Sequence, residues 1–177
     1  MKSGSLYAGS ERMNDQHLIQ KAWEILSEVP DPEIPMINIV DLGMVGNVQA
    51  DNGSLRIELL PTFIGCPAVE VIHASVTARL AESGMQADVS FSYDPPWTSD
   101  RITESGRSLL RQAGFAPPPV IAPPPAGLIE LSTIELVECP YCSSRNTTLE
   151  NLFGPTLCRA IYHCADCRQP FEKFKAI

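Results

Sequence analysis

The chain has 177 residues, 44% hydrophobic and 19% charged, the balance of a globular protein with room for one ordinary domain and a small appendage. It carries 13 basic against 21 acidic residues, a net charge of −8, and so lacks the electropositive footprint that a phosphate backbone requires; nucleic acid is excluded as a main partner and a protein surface is expected instead. No apolar run reaches the roughly eighteen residues of a membrane span, and residues 1–14 are polar and Gly/Ser-rich without the apolar stretch of a secretory signal, so we expect a flexible tail on a cytoplasmic protein with no membrane partner.

Behind that tail, Leu18, Ala22, Ile25 and Val29 recur at helical spacing, with Asn14 or Asp15 as the start and Pro30 and Pro32 as the stop. The loop Asp31-Pro32-Glu33-Ile34-Pro35 follows. Two strands, Met44 to Ala50 and Leu55 to Leu60, flank Asp51-Asn52-Gly53, a strong hairpin signal. Gly65-Cys66-Pro67 then opens a second helix with Val69, Ile72, Val76 and Leu80 inward and Gly84 as its end. Residues 87 to 93 alternate as a third strand, and Ile102 to Ala113 reads as a third helix closed by Gly114. The order α-β-β-α-β-α predicts an α+β two-layer sandwich over residues 15–115, its second helix a right-handed crossover between parallel strands.

Six prolines in the nine residues from Pro117 to Pro125 cannot continue a helix or a sheet ladder. Residues 116–127 therefore read as a Pro-rich linker and 128–177 as a separate module. Six cysteines in a chain without a signal peptide point to metal or thiol chemistry rather than disulfides. Cys139-Pro-Tyr-Cys142 and Cys164-Ala-Asp-Cys167 are two C-x2-C knuckles, each able to present two thiolates from one tight turn. The strand formers between them, Asn146 to Leu149 and Ala160 to His163, suit a hairpin that brings the knuckles together as a zinc ribbon. Zinc here would be structural, since about fifty residues hold too little core to fold unaided. A glutaredoxin-like redox pair at Cys139 and Cys142, or rubredoxin-like iron on the same four thiolates, are the alternatives; the second knuckle and the Thr-rich stretch after Cys142 weigh against the first. Cys158 reads as a small buried hydrophobe, with a ligand swap or an exposed sensor as other readings. His163 points away from the metal in a strand.

Cys66 stands apart. With Pro67 at the first helical position, Cys66 is expected as the N-cap, where the helix dipole and free N–H groups lower a thiol's pKa and raise its affinity for metal. Gly65 lets the backbone pass close to a ligand or partner. A buried cysteine filling the loop is the other reading, and residue chemistry leaves both open. Asp31, Glu33 and Asp41 charge the same end of the domain; carboxylates beside a thiolate oppose its ionisation, and organising the loop is their expected task.

Asp31-Pro32-Glu33-Ile34-Pro35, Val40-Asp41-Leu42-Gly43-Met44-Val45, Thr62 with Gly65-Cys66-Pro67, and Trp97-Thr98-Ser99-Asp100-Arg101-Ile102 resemble the SufT/PaaD-like iron–sulfur assembly domain family. The four-cysteine module, with Phe153-Gly154-Pro155-Thr156-Leu157-Cys158, is similar to the ribbon that family carries in phenylacetyl-CoA epoxidase systems. The resemblance implies a non-enzymatic accessory protein of aerobic phenylacetate breakdown. It would mature or deliver an iron or iron–sulfur centre to the epoxidase's reductase or di-iron subunit, or else serve as a structural subunit of that complex. Cys66 would be the transfer ligand, supported by Asp31, Glu33, Asp41, Thr62 and Gly65. A cluster needs four ligands, so one at Cys66 would have to be shared with a second protomer in a homodimer, with a client, or with a small thiol. The sequence agrees with a non-catalytic role in that it does not hold the two Glu-x-x-His motifs that a di-iron site needs, and it holds no dinucleotide fingerprint.

Overall fold

In a computed structural model of the protein, which describes residues 15–119 and 136–175, Leu18, Ala22 and Leu26 form the buried stripe of α1 (Asp15–Ser27). Ile25 stays half-buried, and Val29 is fully buried just beyond the helix, where its N–H donates to Leu26 and its carbonyl accepts from Ile39. β1 (Val45–Asp51) and β2 (Ser54–Leu59) pair antiparallel through a turn in which Asn52 and Gly53 both have positive φ, 52° and 82°, the backbone that a two-residue hairpin demands. α2 (Val69–Glu82) buries Ile72, Val76 and Leu80 and returns the chain to β3 (Ala87–Phe91), which lies parallel to β2 in the order β1-β2-β3. The helices cover this sheet, giving the expected α+β layers.

The third helix starts later than its apolar pattern suggests. Ser99–Arg101 make a single 3-10 turn, and α3 (Glu104–Gln112) begins after Thr103, whose hydroxyl accepts from the Gly106 N–H at 2.9 Å and so caps the helix there. Before it, the Trp97 to Arg101 stretch clamps the Leu42 to Val45 stretch. Trp97 Nε1 donates to the Leu42 carbonyl at 3.0 Å, while Arg101 Nε and Nη2 donate to the carbonyls of Gly43 and Val45 at 2.9 and 3.0 Å. Gly43 has φ +73°, and a Cβ there would collide with the Arg101 carbonyl oxygen, so only glycine permits this approach.

A second sheet has the order β4-β7-β6-β5. β5 (Thr147–Asn151) and β6 (Arg159–Cys164) are the antiparallel hairpin expected between the knuckles, with Thr147 opposite Cys164. Two further strands went unread in the sequence. β7 (Pro170–Phe174) pairs antiparallel with β6, and β4 (Phe115–Ala116), directly after α3, pairs parallel with β7. The chain thus passes from α3 straight into the second sheet, ahead of the prolines. Most of the Pro-rich stretch (120–127) and the N-terminal tail lie outside the described residues.

The larger core runs from Leu18 to Leu110 and also takes in Cys158, just before β6, and Phe174 of β7. Phe174 meets Trp97 edge-on at 6.0 Å between ring centroids. The smaller core is Ala116, Val137, Cys139, Cys164 and Phe171. Among the described residues no helix is long and apolar enough to cross a membrane.

Candidate functional site

The two knuckles fold alike. Cys139 and Cys164 each accept, through their carbonyls, an N–H from the residue four positions on, Ser143 and Arg168, both at 2.9 Å. Those two residues have φ 59°, the left-handed step that turns each loop back on itself. Each first cysteine donates its own N–H five residues ahead, Cys139 to Ser144 at 2.9 Å and Cys164 to Gln169 at 3.0 Å. Asp166 ties one knuckle to the other, accepting from the Ser144 hydroxyl at 2.5 Å and from Asn146 Nδ2 at 2.8 Å, which holds its carboxyl below the usual range.

This scaffold brings the Sγ atoms of Cys139, Cys142, Cys164 and Cys167 within 4.8 Å of one another, with Cys139–Cys167 and Cys142–Cys164 both at 3.6 Å. A zinc–sulfur bond of about 2.3 Å in a regular tetrahedron requires sulfurs about 3.8 Å apart, so the donor set fits zinc in number, softness and size. The Cys167 and Asp166 N–H groups point at Cys164 and lower its thiol to about 7, whereas burial pushes Cys167 up to about 12. A cation bound by all four displaces these protons. His163 is not part of the cluster.

Cys66 takes a different position from the one its sequence suggests. The N-cap of α2 is Ala68, not Cys66: one further turn, in which Val69 N–H meets the Cys66 carbonyl at 3.3 Å, separates the thiol from the helix start. The expected drop in pKa is reversed. Burial pushes the Cys66 thiol up; the Ala68 N–H opposes this, but the charges of Cys158, Glu33 and Asp31 add to the rise. Gly65 is required by its φ of +82°, and the space beyond its Cα is open.

Of the supporting residues, only Glu33 and Gly65 share a cleft with Cys66; Phe63, Pro67, Thr156, Leu157 and Cys158 complete its walls. Buried Asp31 organises the loop, its Oδ1 accepting the N–H groups of Glu33 and Ile34 at 2.9 and 2.8 Å, and desolvation raises its pKa. Asp41 serves α3 instead, accepting from Asn38 Nδ2 at 2.8 Å and from the Thr103 hydroxyl at 2.5 Å. Thr62 is buried beside an apolar groove formed with Pro61, Phe63, Ile64, Tyr93, Pro96 and Trp97.

Sequence reasoning missed Arg159. Its guanidinium is buried and bridges the halves of the molecule, Nη2 to Glu33 at 2.8 Å and Nη1 to Glu172 at 3.0 Å, and it lies 5.1 Å above the Phe115 ring. A charged residue beside an unpaired cysteine, inside a strand-forming run, was the available signal.

Comparison with known proteins follows the same division. Residues 19–91 match the family model described as iron-sulfur cluster assembly protein, and residues 124–175 that described as PaaD zinc beta ribbon domain. A protein of Escherichia coli (strain K12), named as one of the subunits of 1,2-phenylacetyl-CoA epoxidase, is 39% identical over 160 residues, covering 90% of this chain and 93% of that one. The crystal structure of a domain of unknown function (DUF59) from Bacillus anthracis is similar at a TM-score of 0.52 and 30% identity, covering 55% of this chain and 95% of that one.

Proposed function

The chain belongs to the PaaD family of phenylacetyl-CoA epoxidase subunits, and on that premise we propose that it is an accessory factor that matures or delivers an iron or iron–sulfur centre of the epoxidase system. Membership supports a role in phenylacetate catabolism alongside the other proteins of that system. The finer reading, a maturation factor rather than a catalyst, rests on one observation: the loop carrying Cys66 sits within the part of the chain that matches the iron–sulfur assembly model, and its thiol faces a cleft rather than a substrate-sized catalytic pocket. Residues 15–115 would handle the metal cargo. The ribbon, residues 128–177, would be the scaffold held by structural zinc on Cys139, Cys142, Cys164 and Cys167. The epoxidase's reductase or di-iron subunit is the proposed client.

Zinc held by Cys139, Cys142, Cys164 and Cys167 would supply a fixed cross-link and no reactive position, because four thiolates would leave no coordination site open. At Cys66 the raised pKa keeps the thiol protonated at neutral pH, so it resists oxidation until a cation takes the proton's place. That suits a transfer ligand more than a nucleophile.

A deletion strain grown on phenylacetate tests the proposal. Growth on phenylacetate is expected to fail while growth on unrelated carbon sources continues, and epoxidase components purified from that strain are expected to lack metal. Cys66→Ala should not restore growth. Fully metallated components in the deletion strain would sink the maturation role. The relative's name as a subunit favours a second reading, a non-catalytic structural subunit; correctly metallated but unassembled epoxidase is its signature.

A further inference from the structure

Cys158 immediately precedes β6 in the sequence and belongs to the first core by packing. Three contacts fix it there. Arg159, the next residue, crosses to Glu33 on the loop before β1 at 2.8 Å. The Cys158 carbonyl accepts the Lys175 N–H at 2.9 Å, fixing the segment to the end of β7. The Thr156 hydroxyl lies 3.1 Å from Cys158 Sγ. Across the cleft lies Cys66, on the loop that leads into α2. Cys66, Cys158 and Glu33 are among the residues that wall one cleft of about 10 Å3, room for about a single water or ion rather than an organic substrate.

We propose that Cys66 and Cys158 form a two-thiolate site for one ferrous ion, either alone or as one iron of a cluster, with the Glu33 carboxylate on its wall. The inference rests on the maturation reading above and supplies the second ligand that Cys66 lacks within its own chain. Two thiolates differ in kind from the four of the ribbon. Four close a coordination shell and hold their ion permanently; two leave positions open, through which an acceptor's ligands can enter before the ion leaves. Each thiol gives up one proton on coordination, so loading releases two protons per iron and involves no change of oxidation state. Because the ligands come from both halves of the molecule, the site exists only while the ribbon is docked on the first domain.

The test uses the full-length protein with its ribbon loaded with zinc, titrated anaerobically with ferrous iron against a chromophoric ferrous chelator. One iron per chain beyond the zinc is expected, and X-ray absorption at the iron edge should count two protein sulfurs. Cys66→Ser and Cys158→Ser should each weaken binding at least tenfold and reduce the sulfur count to one. Repeating the titration with inorganic sulfide separates the two forms: charge-transfer bands that require sulfide and vanish in both variants identify a cluster iron. A folded Cys158→Ser protein that binds iron as the unmodified protein does overturns the pair; if Cys66→Ser alone weakens binding, the transfer-ligand reading stands while this inference falls. Failure of the unmodified protein to take up a second metal sinks both. Should Cys158→Ser not fold, the sulfur count in the unmodified protein decides, since one sulfur excludes the pair.

Discussion

Around β1 to β3 the buried side chains are Leu, Ile, Val and Met drawn from three helices and a sheet; around β5 to β7 they are Ala116, Val137, Phe171 and two of the metal-binding cysteines. At about 25 cal/mol for each Å2 of apolar surface removed from water, the first set sustains a fold and the second does not. The ribbon makes up the difference from two sources, the ion its four thiolates fit and the neighbouring core into which it sends Cys158 and Phe174. The contrast teaches that cohesion and continuity are separate properties. The ribbon coheres by metal, yet it is continuous with a domain that coheres by burial.

Removing the metal breaks the comparison most severely. Structural zinc contributes on the order of 10 kcal/mol or more at pH 7. Chelation, or Cys139→Ser, is therefore expected to strip hydrogen-exchange protection from β5 to β7 while β1 to β3 keep theirs; elemental analysis of the untreated protein should find about one zinc per chain. The first domain's melting temperature should also fall, because Phe174 leaves its core. A first domain that melts unchanged would show that the two cores are independent after all.

Next in size is Gly43→Ala, which drives a Cβ into the Arg101 carbonyl and forces a left-handed backbone on a residue with a side chain. About 3 kcal/mol or more should be lost in denaturant unfolding of the zinc-loaded protein. Gly53→Ala, equally left-handed but with nothing near its Cβ, should lose about 1 kcal/mol. Equal losses at both positions would mean that the Trp97 to Arg101 clamp contributes nothing.

The joint itself is probed by a double-mutant cycle on Arg159→Met and Glu33→Gln. Their coupling is expected at about 1–2 kcal/mol, below the range for fully buried pairs because the Glu33 carboxylate is partly exposed. A coupling near zero would reduce Arg159 to packing.

The smallest effect concerns pH. Burial raises the Asp31 pKa above its ordinary 3.8, so the folded protein retains a proton that the unfolded chain releases. That contribution is full below the unfolded pKa and is lost as pH rises through the folded one. Relative to Asp31→Asn, the unmodified protein should therefore lose stability as pH climbs from below 3.8 toward neutrality. The opposite slope would mean that the Glu33 and Ile34 N–H groups outweigh desolvation.

What could be read from the sequence followed the range of the interactions involved. The β1–β2 hairpin was legible because Asn52 and Gly53 encode its turn locally, and the β5–β6 hairpin because the two C-x2-C spacings demand that its ends meet. β4 and β7 were not, since their pairing joins residues 115 and 172, which carry no matching local signal. Cys66 shows the same limit. Pro67 correctly announced a helix nearby, but the extra turn to Ala68 and the burial beside Cys158 arise from packing between segments about ninety residues apart. The thiol's pKa consequently moved up where a local argument moved it down.

The two residues of β4 carry a topological consequence. They enter the second sheet before the prolines begin, and Arg107 holds the Pro118 carbonyl. On the far side Val137 is buried, its carbonyl accepting from the Thr147 hydroxyl at 2.6 Å. Both flanks of residues 120–135 are therefore anchored in the same body, and a cut between Pro119 and Leu136 would sever the sequence while β4 stays paired with β7 across it.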